Sequence, residues 1–127
     1  MTMLRLTAAL ATTALMTACA GWGTMSNAPA RVSDGVLVGE NGMTLYTFDR
    51  DQAGSGRSVC NGQCAVNWPP LKAAGGKSAG DWTVIARDDG SAQWAYKGKP
   101  LYFWVRDQKP GDRTGEGFNG VWRVARP

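Results

Sequence analysis

Two segments of this 127-residue chain place the same polar and aromatic groups at the same spacing. Tyr46, Phe48 and Asp51 lie in GMTLYTFDRDQ (42–52), and Tyr102, Trp104 and Asp107 lie in GKPLYFWVRDQ (98–108). Each set joins a phenol, a second ring and a carboxylate. Rings beside a carboxylate can stack a sugar, hold a cation or contribute to a metal site. Two carboxylates about 5–9 Å apart across an open cleft can act as acid and base on a glycosidic bond. The third use is architectural. Tyr46 and Tyr102 would pack their rings and hydrogen-bond locally, while Asp51 and Asp107 accept from loop N–H groups just past the strand, as Asp does in turns. The architectural use is the commonest fate of such residues, so the sequence assigns no catalytic residue and no metal ligand. The ring-lined groove and the carboxylate pair stand as the alternatives.

The chain has no histidine. That removes the usual serine and cysteine hydrolases, which need an imidazole base, and histidine-ligated zinc or haem centres. No cofactor is expected. Cys60 and Cys64, in CNGQC, have three residues between them rather than the two of a redox pair. In an exported chain they read as a structural disulfide that stiffens a local turn. Three further look-alikes are solvated loops. GGKS (75–78) lacks the earlier glycine and the strand of a phosphate loop. DRD (49–51) and RDDGS lack calcium-loop spacing, and GSGRS (54–58) is no nucleophile elbow. The net charge is +4, or +3 once Arg5 is removed, and the basic residues are scattered among acids. This reads as a solvated surface and excludes a nucleic-acid partner, which would want a clustered basic stripe.

Export is written at the start. Met1–Arg5 is weakly basic, and Leu6–Met16 is uncharged and apolar. The run falls short of the roughly 20 residues that span a bilayer, so it reads as a signal peptide. It ends in Met-Thr-Ala-Cys, which resembles the bacterial lipobox. There the Cys19 thiol receives a diacylglyceryl group and becomes the new N-terminus, and several acyl chains then hold the protein to a membrane. Ala20 rather than Asp follows, which by the family rule favours the outer membrane, facing the periplasm or the cell surface, in a Gram-negative cell. Residues 1–18 are thus the signal peptide, and 19–31 are lipidated Cys19 with a flexible tether. Trp22 sits close enough to the anchor to rest in the membrane interface.

Residues 32–127 carry strand signals, with repeat 1 at about 36–70 and repeat 2 at about 82–126. Asn41-Gly42 predicts a tight type I′ hairpin turn. Strands are expected near 82–87, 92–96, 100–105 and 120–125. The breaks between the first three are too short for a crossover helix, which makes those strands antiparallel neighbours. Leu101, Phe103 and Val105 share one face, and Tyr102 and Trp104 the other, as in a central buried strand. A helical turn at Cys64–Asn67 should stop at Pro69-Pro70. The expected fold is all-β: a small antiparallel domain of about six strands, built from two pseudo-repeats, with one short helical turn near the disulfide. The disulfide should lie between the two halves. Each repeat ends in a tryptophan, Trp68 or Trp122, and isolated hairpins are marginal in water. Each half is therefore expected to supply the other's core.

The two copies resemble a bacterial family of secreted repeats of unknown function, predicted lipoproteins marked by Tyr-x-(Phe/Trp/Tyr)-x-x-Asp. The motif stands here as Tyr46-x-Phe48-x-x-Asp51 and Tyr102-x-Trp104-x-x-Asp107, and CNGQCAVNWPP is similar to the family's Cys-x-Gly-x-Cys-x-x-x-Trp-Pro-Pro stretch. The likeness runs over residues 36–126. It implies a cell-envelope lipoprotein and no particular activity. Some relatives are linked to hydrocarbon use, which no residue here displays. The membrane, through Cys19, is the expected partner, and a small molecule or another envelope protein remains open.

Overall fold

The computed structural model describes residues 28–127. Cys19, Trp22 and the signal peptide lie outside the described residues. Seven strands are present among those described: β1 (Ala30–Ser33), β2 (Val36–Gly39), β3 (Tyr46–Phe48), β4 (Trp82–Ala86), β5 (Ala92–Tyr96), β6 (Lys99–Pro100) and β7 (Trp122–Val124). One α-helical turn, α1 (Gln63–Asn67), follows the motif of repeat 1, and a 3-10 turn covers Phe118–Gly120. All pairings are antiparallel, in three small sheets ordered β1-β2, β3-β7 and β4-β5-β6. The fold is all-β.

Turn chemistry sets the hairpins. Asp34-Gly35 (φ 50° and 78°) and Lys97-Gly98 (φ 49° and 82°) are two-residue turns with both residues left-handed, the geometry that suits tight antiparallel connections. Asn41-Gly42 differs from the expected type I′ turn, because only Gly42 has positive φ (80°). Gly42 N–H donates to Gly39 O and Gly39 N–H to Met43 O, which makes a three-residue loop closed by a left-handed glycine. The Asn41 side chain accepts from Met43 N–H at 3.0 Å. Repeat 2 makes the same loop at Asp88-Asp89-Gly90, where Asp89 accepts from Ser91 N–H at 2.9 Å. Ala30 and Arg31, expected in the tether, belong to β1.

The expected strand at 100–105 is regular only through β6. Beyond Pro100 the segment stays extended, but its partner changes at almost every step. Leu101 N–H donates to Trp94 O, Tyr102 N–H to Tyr46 O, Phe103 N–H to Pro69 O and Val105 N–H to Asn67 O. The expected faces are present: Leu101 and Phe103 join one cluster, Tyr102 and Trp104 the other, and Val105 is exposed. The last strand is shorter than 120–125 because Gly120 ends the 3-10 turn.

The centre is a twofold exchange of segments between repeats. Tyr46 and Tyr102 pair directly, N–H to O at 2.8 and 3.0 Å. On the outer side of Tyr46 lies Val124 of repeat 2, and on the outer side of Tyr102 lies Pro70 of repeat 1. Flanking leucines repeat the pattern. Leu45 bonds Leu37 of its own repeat and Ala125 of the other; Leu101 bonds Trp94 of its own repeat and Leu71 of the other. The closing segment of each repeat is therefore inserted into its counterpart. Alternation along these strands then divides the core. Leu37, Leu45, Leu71 and Leu101 fill one side, and Tyr46, Tyr102, Trp68, Trp104 and Trp122 fill the other.

Candidate functional site

The tandem motifs meet at this twofold axis, with both tyrosines fully buried. Their hydroxyls do not bond locally as expected. Tyr46 OH donates to Asp107 Oδ2 at 2.6 Å, and Tyr102 OH donates to Asp51 Oδ2. Each phenol thus reaches the carboxylate of the opposite repeat. The reason is directional: paired antiparallel strands send their exits past each other, so Asp51 leaves β3 near Tyr102 rather than near Tyr46. The other carboxylate oxygen caps its own loop. Asp51 Oδ1 accepts from Val59 N–H at 2.7 Å, and Asp107 Oδ1 from Thr114 N–H at 3.0 Å and Thr114 Oγ1 at 2.6 Å.

The rings continue the exchange. Phe48, Trp122, Trp68 and Trp104 form a column with centroid separations of 4.2, 3.7 and 3.9 Å, and the central tryptophans are nearly parallel at 4°. Phe48 and Trp104, the motif rings, each stack on the tryptophan of the other repeat. Tyr46 stands edge-on to Trp68 at 5.3 Å and Tyr102 edge-on to Trp122 at 5.1 Å. Such pairs add roughly 0.5–1.5 kcal/mol each beyond their burial. Tyr46, Tyr102 and Trp104 are buried and Phe48 is half-buried, all packed in or against the ring column.

Burial pushes both phenols above the ordinary tyrosine range, and the carboxylate each one faces pushes the same way. Burial also raises the Asp51 carboxyl; the Tyr102 hydroxyl, Val59 N–H and the Arg87 charge pull against it. Arg87 is buried beside this half. Its guanidinium donates to Ser58 Oγ at 3.0 Å, Gln93 Oε1 at 2.7 Å and the Cys60 carbonyl. Ser58 Oγ lies 2.6 Å from Tyr102 OH, and Gln93 donates to Leu101 O at 2.7 Å. Among the described residues no buried side-chain nitrogen or oxygen lacks a partner, and no group of three or more potential metal ligands converges. Both oxygens of each motif carboxylate are engaged, and both side chains are buried.

Cys60 and Cys64 are joined in a disulfide with Cα atoms 5.2 Å apart. The bond lies within repeat 1, not between the halves. It closes the loop into α1, and Cys60 packs into the aromatic core. Sequence reasoning missed Ser58, Thr114, Arg87 and Gln93. The first two had a signal, since each is a hydroxyl residue seven positions after its motif aspartate. Arg87 had a fainter one: it lies two residues beyond buried Ile85, on the inward side of the strand's alternation.

A model of a secreted repeat of unknown function matches residues 30–72 and again 83–126. No curated protein and no solved structure matches the chain. The two matched spans are the halves that exchange segments, and together they take in well over half of the chain. Among the described residues no helix is long and apolar enough to cross a membrane. Two copies of one unit, matched end to end, make the conclusion direct: the chain belongs to the family of secreted repeats of unknown function, a family of exported proteins.

Proposed function

We propose that this is a lipid-anchored cell-envelope protein whose domain is a rigid, non-catalytic module with a structural or binding role. The observation that carries the non-catalytic reading is the burial and mutual bonding of the motif. Tyr46, Tyr102, Asp51 and Asp107 are buried and bond to one another and to groups of their loops, which is the arrangement of a fastening and not of an acid–base pair open to substrate. A hydrolytic pair would need at least one carboxylate open to substrate.

The anchor reading rests on Met-Thr-Ala-Cys19 at the end of an export signal and on the secreted nature of the family. Lipidated Cys19 would tie the domain to the outer membrane of a Gram-negative host through the tether that leads to β1. Fractionation of cells tests it. The wild-type protein should pellet with membranes and incorporate labelled fatty acid, while Cys19→Ser should do neither. A Cys19→Ser protein that still pellets and takes up label would sink the anchor.

A further inference from the structure

A cleft of about 390 Å³ opens beside the β3–β7 pair, and four basic residues line it: Lys97 lies in the β5–β6 turn and Lys99 just after it, and Arg123 and Arg126 belong to the closing segment of repeat 2. The sequence showed these residues as part of a scattered, solvated set; folding gathers them. Leu101 and Val124 form apolar wall between them. A cleft with cations of one sign over low-dielectric walls focuses its field outward and concentrates anions.

The charges are largely unspent. Among the described residues the single ion pair is Arg123 Nε with Asp49, at 2.9 Å. All ten carboxylate side chains belong to described residues, because none precedes Asp34 in the sequence. Lys97, Lys99 and Arg126 therefore have no carboxylate partner, and Arg123 uses only Nε on Asp49. Glu116 is the acidic residue of the lining, and one of its oxygens is held by Val124 N–H at 2.7 Å. Four cations against Asp49, Glu116 and the carboxylate of Pro127, which also lines the cleft, leave an excess of one positive charge that favours a phosphoryl group. Arginine forks and lysine points are the usual donors to such a group. We infer that this cleft binds a phosphate ester, either as a small free solute or as the headgroup of a phospholipid. The inference does not depend on the lipid anchor.

The test is NMR on the ¹⁵N-labelled full chain in neutral detergent, titrated with sn-glycerol 3-phosphate, and in bicelles with or without phosphatidylglycerol. Saturable shifts should localise to Lys97, Lys99, Arg123 and Arg126. Saturation by glycerol phosphate identifies a soluble ester; shifts only with phosphatidylglycerol identify the headgroup. Lys99→Ala with Arg126→Ala should weaken binding about tenfold or more, the scale of losing charge-assisted hydrogen bonds. Arg57→Ala with Lys72→Ala removes the same charge from exposed sites elsewhere and should leave affinity unchanged. Equal weakening by both pairs, shifts spread over all basic residues, or no saturable shift in either arm would overturn the assignment. All four side chains are exposed, so the variants should keep the wild-type melting temperature.

Discussion

The two phenol–carboxylate bonds are the contacts that tie the repeats together through buried polar side chains. Tyr46→Phe and Tyr102→Phe keep the rings and delete the donors. Each should lower unfolding free energy by about 1–3 kcal/mol, the penalty for leaving a buried carboxylate oxygen unpaired; urea titration measures it. The same phenols set an alkaline limit. In the unfolded chain tyrosine ionises near pH 10. In the fold, burial and the facing carboxylates hold both protons to higher pH. The folded state therefore binds more protons than the unfolded state above that point, and stability must fall as pH rises past about 10, while below it the contribution is complete. Stability–pH curves for the double Phe variant should be flatter there than wild type. The six motif residues were legible because the chain repeats them. Their partners were not: a Tyr and an Asp five residues apart look local, and a bond between Tyr46 and Asp107 leaves no short-range trace.

At the scale of elements, packing tolerance is small where the loop of repeat 2 crosses the ring column. A Cβ on Gly115 would stand 2.7 Å from Trp68 and 2.9 Å from Tyr46. Gly115→Ala should thus destabilise by about 1–3 kcal/mol through overpacking. Near-UV circular dichroism should show perturbed tryptophan signals, and an unperturbed spectrum with unchanged melting would mean the column yields easily. The equivalent region of repeat 1 holds the disulfide instead, so the two halves solve one packing problem differently. Hairpins were readable from Gly-containing turns and alternation. The extended segment after Pro100 was readable as apolar on both faces, yet not as a strand that changes partner residue by residue. Periodicity reports burial, and it is silent about which neighbour supplies it.

At the scale of the molecule, the interchange of closing segments makes folding all-or-none. Neither repeat contains its own complete ring column or its own phenol acceptor. A chain divided between Gly76 and Lys77, in the exposed loop joining the halves, should give two fragments without tertiary circular dichroism signals. Mixed at equal concentration they should regain the wild-type spectrum, whereas a fragment that folds alone would contradict the exchange. The repeat architecture was legible from the tandem motif; the threading of each half through the other was not, because spacing records order along the chain and not which copy lies beside which.

The reciprocal clasp also bears on origins. Its strand, phenol–carboxylate and ring-stacking contacts are isologous, each answered by its equivalent under one rotation, so they could close around two identical polypeptides. A single ancestral unit could have assembled as a homodimer through the same phenols and indoles. Tandem duplication then fuses the pair, abolishes its dependence on concentration, and frees each copy to diverge. A disulfide in one half and a bare glycine in the other are the record of that freedom.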